Sequence, residues 1–392
     1  MIGRVRRWTY DVMTMTSVAQ RKSRVLLADW LGVKTMYMGS RSSPRRVVAA
    51  VMVTGVAATL VTVMMMMEPR ALSLTRQARH SPRVSPSPFP PPLPEHLNTV
   101  DTEAAGGQFD TIPGWPYGMR INEPDTCKDQ DVYLLNTITT NPTQVYHRNL
   151  IRKMWARKDI EKRLKIRTVF IIAAVRSEVT QRHLQEESDK HRDIIQFDFL
   201  ETRRNLTVKS LAALHWFRAY CGNASWVLKC DVDAYINFWA LLDVLRPAEG
   251  SQDAVCGRSK SRSVCRDANT IGCLQRYVVS PEEYPLSIYP PYCSGFAYVL
   301  HRRLVDRMLE VDGKRTGPPL FLEDAYVTGL LPRDLNARWL NVRRRIMVVP
   351  EYIRPEYHNG TFLFVHDLDG QIGQGATSYV WQKTLQYYGM VP

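Results

Sequence analysis

Two carboxylates separated by one residue, Asp231 and Asp233, follow a short apolar run that begins at Trp226. Carboxylate oxygens are ligands that hard divalent cations such as Mg²⁺ and Mn²⁺ prefer. A metal held there would neutralise phosphate groups and stabilise an anionic leaving group. The pair therefore indicates a metal-dependent enzyme acting on a nucleotide-activated substrate. The same spacing also occurs in turns whose aspartates accept hydrogen bonds from nearby backbone N–H groups.

Two further stretches carry residue types that could do chemistry. Glu323 and Asp324 precede an apolar run, where they would act either as acids at a helix N-terminus or as a general base for a hydroxyl. A predicted strand over 362–367 contains His366 near its end. A histidine in that place is either structural or a ligand, because imidazole also suits Mn²⁺.

The elements that must position these residues alternate between strand and helix. Apolar runs predict strands, and amphipathic stretches predict helices. This alternation favours an α/β layer with a largely parallel sheet, in which ligands bind at the carboxyl ends of the strands. Asp231 and Asp233 follow such a strand end. The predicted strands are 131–138, 168–174, 193–199 and 226–228, and the predicted helices are 149–165, 181–190, 208–219 and 301–311.

Charge and hydropathy divide the chain ahead of these elements. Residues 1–46 hold ten basic and two acidic residues, so +8 of the net charge of +14 precedes the uncharged segment 47–67. Twenty-one residues at helical rise span roughly 31 Å, enough for a bilayer core. The basic side is expected to stay in the cytoplasm. We expect a cytoplasmic tail, a single signal-anchor and a translocated remainder; a cleaved signal peptide is the alternative. Because the charge excess is concentrated in the tail and not spread over a binding face, a nucleic-acid partner is disfavoured.

Beyond the predicted span, residues 68–125 form a proline-rich stem and residues 126–392 the catalytic domain. The stem is expected to be extended, because proline fixes φ and lacks the backbone N–H. Three Asn-x-Ser/Thr sites, at Asn205, Asn223 and Asn359, agree with a lumenal, glycosylated domain.

Seven cysteines lie in the translocated part, and none shows the Cys-x-x-Cys spacing of a zinc site. A secretory compartment favours disulfides, and three cysteines at 256, 265 and 273 indicate a disulfide-pinned loop. Because seven is odd, at least one thiol is free or pairs with another chain.

Several motifs in one order resemble the glycosyltransferase 31 family, which includes β1,3-galactosyl- and β1,3-N-acetylglucosaminyltransferases. The resemblance covers about residues 130–370. It rests on stretches that are similar to the family's R-x-x-I-R-x-T-W, D-I-I-Q-x-D-F, N-L-T-L-K, Y-P-P-Y-C-S-G and E-D-V motifs. They begin here at Arg148, Asp193, Asn205, Tyr289 and Glu323.

The resemblance implies a GT-A fold, a UDP-sugar donor and a type II Golgi membrane protein. Its product would be a β1,3-linked galactose, N-acetylglucosamine or N-acetylgalactosamine on a glycoprotein or glycolipid. It implies Mn²⁺ on Asp233 with His366, while Asp231 steadies the ribose or the metal. It also implies Asp324 as the base.

The donor's uridine or diphosphate would then be met by Arg148, Arg152 and Lys209. These three residues are cationic, and guanidinium and ammonium groups bind phosphate well.

This chain departs from the family pattern at the two carboxylates. The family usually has three consecutive aspartates, and Val232 stands in the middle position here. We expect that Val232→Asp is tolerated and tightens donor binding. Met154 stands where the family usually has threonine. Two other readings stay open: a catalytically silent, membrane-anchored sugar-binding protein, and a metal-dependent hydrolase of nucleotide sugars.

Overall fold

The computed structural model describes residues 109–259, 261–348 and 352–391. The predicted cytoplasmic tail, the predicted span over 47–67 and most of the predicted stem lie outside the described residues. Within the described ranges, no helix is both long and apolar enough to cross a membrane.

An eight-stranded sheet forms the centre of the described chain, in the order β1-β4-β3-β2-β5-β10-β7-β11. The four neighbours β4, β3, β2 and β5 run parallel, and β11 runs parallel to β7. β1 and β10 run antiparallel to their neighbours. The prediction of an α/β layer with a largely parallel sheet is confirmed. The strands of this sheet are β1 Met119–Ile121, β2 Leu134–Thr139, β3 Ile166–Ala174, β4 Ile194–Leu200, β5 Trp226–Asp231, β7 Ala254–Arg258, β10 Cys293–His301 and β11 Trp339–Asn341.

Two smaller sheets complete the strand set. The first has the order β12-β13-β6, and the second pairs β8 with β9. Their strands are β6 Ala234–Ile236, β8 Arg262–Ser263, β9 Ile288–Tyr289, β12 Ile346–Met347 and β13 Phe364–His366.

Helices connect the parallel strands and cover both faces of the large sheet. Successive strand residues alternate between the faces, so Phe170 and Ile172 of β3 belong to one apolar cluster and Val169 and Ile171 to the other. The helices are α1 Val145–Lys153, α2 Lys158–Leu164, α3 Glu178–His191, α4 Leu206–Tyr220, α5 Phe238–Ala248, α6 Arg302–Gly313, α7 Glu323–Ala325, α8 Leu368–Ile372 and α9 Ala376–Tyr387.

One predicted helix, over 149–165, is wrong in its continuity. The chain leaves the helical conformation after Lys153, passes through an extended Arg157 and starts a second helix at Lys158. The break lets Met154 and Trp155 enter the apolar cluster, where both are buried.

Three disulfides link Cys127 to Cys221, Cys256 to Cys293 and Cys265 to Cys273. The prediction of a disulfide-pinned loop is confirmed, because two of the three bonds fix the segment around residues 256–293. The unpaired cysteine is Cys230, which is buried in β5.

Candidate active site

A cavity of about 570 Å³ opens where the parallel strands β2 and β5 end. Its walls also include the start of α4 after β4, the turn into β10 and the segment that enters α7. The position agrees with the rule that open α/β sheets bind ligands at the carboxyl ends of their strands. Of the residues predicted for the site, Lys209, Asp231, Asp233, Asp324 and His366 line this cavity.

Asp231 ends β5 and is tied to the sheet. Its Oδ1 accepts hydrogen bonds from Lys229 Nζ at 2.7 Å and from Thr139 Oγ1 at 2.9 Å. Thr139 is the register partner of Asp231 in the parallel pairing of β2 with β5. These contacts hold one carboxylate oxygen toward protein donors and orient the group at the cavity floor.

Asp233 has different surroundings. Its Oδ1 is buried and accepts no hydrogen bond from the described residues, while Oδ2 lies 3.7 Å from Nε2 of His366. Burial, and secondarily the negative charge of Asp231, raise the pKa of Asp233. An unpaired buried oxygen of this kind is costly unless a ligand satisfies it.

The small sheet brings His366 to Asp233. β13 runs antiparallel to β6 and pairs His366 with Ala234, the residue that follows Asp233. His366 Nδ1 lies 3.2 Å from the carbonyl oxygen of Val348. Because a carbonyl only accepts, Nδ1 carries the proton, so that in the neutral ring Nε2 is the nitrogen with a lone pair, and it faces Asp233.

These two side chains therefore fit a hard or borderline cation, since each presents a free ligand atom. Asp231 does not complete a set of three metal ligands with them. Among the described residues, no group of three or more His, Cys, Asp or Glu side chains could hold a metal ion. A metal here would need oxygen ligands from its substrate as well.

Lys209 of α4 also lines the cavity and is almost fully buried. Its ammonium group donates to the carbonyl of Thr140 at 3.1 Å and forms an ion pair with Glu201. Burial lowers the pKa of Lys209. The pair fixes the loop after β2 to the loop after β4.

Glu323 and Asp324 of α7 point in different directions. Glu323 is buried, accepts a hydrogen bond from the Tyr298 hydroxyl and lies 3.6 Å from Lys229 Nζ. Asp324 is partly exposed at the cavity, and its Oδ1 accepts from the N–H of Ala325 at 2.8 Å. A Cβ at Gly295 would lie 3.0 Å from the Asp324 Cβ, so the absence of a side chain there keeps room beside this carboxylate.

The electrostatics separate the two acids further. Burial, and then the charge of Glu323, raise the pKa of Asp324 to about 6. A carboxylate with a raised pKa accepts a proton more readily near neutral pH, which suits a general base. Both acids line the cavity, but the carboxylate of Glu323 already bonds to Tyr298 and faces Lys229, whereas the more exposed Asp324 is the better placed to accept a proton from a substrate.

Arg148 and Arg152 do not reach this cavity, contrary to the expectation that they contact a donor. Arg148 is 0% exposed, and its guanidinium donates to both carboxylate oxygens of Glu187 at 2.8 and 2.6 Å and to the carbonyls of Asn141 and Pro142. It thereby braces the loop that contributes Asn141 to the cavity.

Arg152 has a similar structural role. Its guanidinium binds both oxygens of Asp193 at 2.8 and 2.7 Å and one oxygen of Glu187 at 2.7 Å. These contacts tie α1 to α3 and to the start of β4, away from the cavity that holds Asp324. The guanidinium groups of both arginines therefore already donate their hydrogen bonds to protein acceptors.

Val232 is 8% exposed and belongs to the same apolar cluster as Met154 and Trp155. Val232 and Met154 also line one small cavity of about 30 Å³. Val232 also lines the large cavity, so an aspartate at 232 would stand between two other acids and partly against the apolar side chains of Met154 and Trp155. The expectation that Val232→Asp is tolerated is therefore replaced by an expectation of instability.

Lys229 is a site residue that the sequence analysis missed. It is nearly buried and bonds to Asp231, to the carbonyl of Gly295 at 2.6 Å and, at longer range, to Glu323. Its charge links β5 to the turn into β10 and to α7. The available signal was a lysine inside an otherwise apolar strand, since a lysine is almost never buried without a partner.

A mostly parallel α/β sheet with acids at its strand ends defines a class of protein, and comparisons with known proteins identify the family. The galactosyltransferase family model matches residues 146–343, about half of the chain. The chain belongs to this family, which confirms the resemblance to glycosyltransferase 31 proteins.

Two human relatives illustrate the match. UDP-GalNAc:beta-1,3-N-acetylgalactosaminyltransferase 1 is 30% identical over 223 residues, which cover 56% of this chain and 66% of that protein. Beta-1,3-galactosyltransferase 5 is 31% identical over 222 residues, 56% of this chain and 69% of that protein. The match thus spans about two thirds of the length of these relatives.

Among solved structures, the WbbM bifunctional glycosyltransferase aligns over 67% of this chain and 50% of that chain. The TM-score is 0.35 and the sequence identity is 13%. A likeness this weak supports no conclusion about function.

Proposed function

We propose that this protein is an inverting β1,3-glycosyltransferase with a GT-A fold. It moves galactose, N-acetylglucosamine or N-acetylgalactosamine from a UDP-sugar to the 3-hydroxyl of a glycan on a glycoprotein or glycolipid. The observation that carries the proposal is that one cavity contains two different groups. Asp233 with His366 could hold a metal ion, and Asp324, a carboxylate of raised pKa, could act as a base.

The donor occupies the wall formed by β2, β5 and α4. Its diphosphate lies near Asp233 and His366, which would hold Mn²⁺ together with phosphate oxygens. When bound, Mn²⁺ would neutralise negative charge on the departing UDP. Asp231, oriented by Lys229 and Thr139, is placed to bind the ribose or the metal, and Lys209 lines the same wall.

Asp324 acts on the acceptor. Its carboxylate accepts the proton of the 3-hydroxyl while the hydroxyl oxygen attacks C1 of the donor sugar. The bond from C1 to the phosphate oxygen breaks, and its electron pair leaves with UDP. Because attack and departure occur on opposite faces, an α-linked donor gives a β-linked product.

The family's named relatives favour a transferase over a silent sugar-binding protein, and the placement of Asp324 disfavours a simple hydrolase. Glu323, Tyr298 and Lys229 hold α7 in place, so the base is preorganised for a group that enters the cavity. A hydrolase requires no second sugar, whereas the wall around Asp324 leaves space for one.

For its setting in the cell, the charge step ahead of residues 47–67 supports a signal-anchor, and the three disulfides support an oxidising lumen. We therefore place the protein in the Golgi membrane, with a single span and a lumenal catalytic domain.

A donor screen tests the proposal. The purified protein is incubated with UDP-galactose, UDP-N-acetylglucosamine or UDP-N-acetylgalactosamine, Mn²⁺ and a panel of aryl glycosides. Transfer that requires an acceptor supports the assignment. Release of free sugar at the same rate without an acceptor indicates a hydrolase, and binding without turnover indicates a silent protein.

A further inference from the structure

Three arginines in or beside the cavity have no acidic partner among the described residues: one lines the cavity, and each of the other two neighbours a residue of the site. Arg203, Arg262 and Arg276 are exposed, and none of them takes part in an ion pair within the described ranges. Arg204, next in the chain, differs because Glu283 neutralises it. Arg203 itself lines the cavity. The positive charge of these three groups is therefore available to a ligand.

Aromatic rings hold these guanidinium groups in place. The Arg203 and Arg276 guanidinium carbons lie 5.2 and 5.1 Å from the centroid of the Tyr277 ring, which also lines the cavity. Arg262 lies 5.8 Å from the centroid of the Tyr292 ring. Cation–π contacts of this kind orient a planar guanidinium but leave its N–H groups free to donate.

The loop that carries Tyr277 is firmly built. The disulfide between Cys265 and Cys273 closes its first part. Arg266 then donates to the carbonyls of Val279, Tyr284 and Leu286, and these hydrogen bonds hold the segment that follows Tyr277. A surface held in this way presents its charges at fixed positions and binds with less loss of entropy.

Arg262 lies on the acceptor's side of the cavity, and Arg203 lines the cavity just before α4. Tyr292 immediately precedes β10, whose residues Ser294 and Gly295 line the cavity, and Gly295 lies directly beside Asp324. Arg262 is close enough that its charge offsets part of the rise in the pKa of Asp324. The acids on the donor's wall have their own partners: Glu201 pairs with Lys209, and Asp231 pairs with Lys229.

We propose that Arg203, Arg262 and Arg276 form a subsite for an acidic group on the acceptor glycan, next to the hydroxyl that is glycosylated. This inference rests on the proposed transferase function and narrows its substrate to acidic glycans. The group is a carboxylate or a sulfate ester, since both present oxygens that match the planar fork of a guanidinium. Tyr277 would support the sugar ring by stacking.

Pairs of acceptors that differ only in charge test the subsite. We use aryl β-N-acetylglucosaminide and β-galactoside, each with and without a 6-O-sulfate, and aryl β-glucoside against β-glucuronide. The wild-type protein should show a higher kcat/KM for at least one acidic member than for its neutral counterpart. A preference for sulfated sugars identifies a sulfate subsite, and a preference for glucuronide identifies a carboxylate subsite. Added salt should reduce the preference, because exposed charges are screened.

Variants locate the preference. In the triple variant Arg203→Gln, Arg262→Gln, Arg276→Gln, the ratio of acidic to neutral kcat/KM should fall by roughly tenfold, the scale expected for three exposed ion pairs. The matching triple Lys variant keeps the charge but not the planar fork, so it should keep only part of the preference. Arg246→Gln is the control, because this exposed arginine of α5 lies far from the cavity. It stands three residues before Glu249, which accepts a hydrogen bond from Trp226 at the opposite end of β5.

Equal transfer to acidic and neutral acceptors by the wild-type protein would overturn the subsite while leaving the transferase function in place. A preference that survives in the triple Gln variant would also overturn it. Absence of transfer to any acceptor would contradict the proposed function itself, and this inference with it.

Discussion

At the scale of single residues, the contrast between two adjacent acids carries the mechanism. Glu323 is buried against Tyr298 and Lys229, and Asp324 faces the cavity. Asp324→Asn should lower kcat by roughly 100-fold or more, the usual scale for a positioned base. Donor KM should change little, because the base acts on the acceptor. Steady-state kinetics with saturating UDP-sugar measure both quantities.

Glu323→Gln is the matched comparison. It should act mainly through stability, because its buried carboxylate bonds to Tyr298 of β10 and pairs with Lys229 of β5, although Glu323 also lines the cavity. A near-normal kcat for Asp324→Asn, together with an inactive but folded Glu323→Gln, would reverse the assignment of the base.

The pKa of Asp324 predicts how activity depends on pH. With a pKa of about 6, Asp324 carries a proton below pH 6 and cannot accept another, so kcat/KM should rise between pH 5 and pH 7. A profile of kcat/KM at low donor concentration measures this. A flat profile over that range, or the same rising limb in Asp324→Asn, would exclude Asp324 as the titrating group.

Asp233→Asn should remove most activity while the fold survives, because a neutral amide is a poorer ligand for a hard cation. Binding of Mn²⁺ should weaken in parallel, as electron paramagnetic resonance of the free ion can measure. Asp243→Asn is the control, since Asp243 is exposed on α5. Unchanged Mn²⁺ binding in Asp233→Asn would rule out this residue as a ligand.

At the scale of elements, the sequence predicts the parallel strands well because each is a continuous apolar run. The prediction of 168–174 differs from β3, Ile166–Ala174, by two residues at its start, and 193–199 differs from β4, Ile194–Leu200, by one at each end. β10 and α9 were not predicted. β10 follows a proline-rich turn, and α9 mixes polar and apolar residues too evenly for a clear period.

Only those site residues whose position follows from the neighbouring sequence could be predicted. Asp231, Asp233 and Asp324 follow strand ends or start a helix, so their place at the cavity follows from neighbouring residues. Arg148 and Arg152 are held away from the cavity by Glu187 and Asp193, about 40 residues away in the chain. No local sequence pattern indicates such pairing. The same holds for the contact of Lys229 with Glu323.

Packing between α1 and the loop after β5 gives an element-scale prediction. Val232→Asp should lower the free energy of unfolding by about 2 kcal/mol or more, because it buries a polar group among apolar side chains. Thermal denaturation measures the loss. Val179→Asp, at an exposed position of α3, should have little effect.

Met154→Thr should recover part of this loss in the double variant, since a hydroxyl from the same small cavity could donate to the new carboxylate. Equal stability of Val232→Asp and the wild type would show that position 232 accommodates a charge and would contradict this packing account.

At the scale of the whole molecule, the three sequons report on topology. Asn205 is buried and donates to the carbonyl of Leu200, whereas Asn223 and Asn359 are exposed. The amide nitrogen of Asn223, however, already donates to two carbonyls. In cells the protein should therefore carry a glycan on Asn359, and Asn359→Gln should abolish the mobility shift caused by endoglycosidase. Protease added to sealed microsomes should remove the N-terminal tail and spare residues 68–392.

An absence of glycan together with digestion of the C-terminal domain from outside would contradict the proposed type II topology. Asn205→Gln serves as the control for the glycan, because its buried amide should carry none in the folded protein.

The most direct test of the whole account is the structure of the first product. The purified protein is given an isotopically labelled UDP-sugar and an aryl glycoside, and nuclear magnetic resonance follows the new anomeric proton and the linkage. For an inverting β1,3-glycosyltransferase we expect a β-anomer joined to the acceptor's 3-hydroxyl from the earliest time points. An α-anomer, or labelled free sugar without a transfer product, would contradict it.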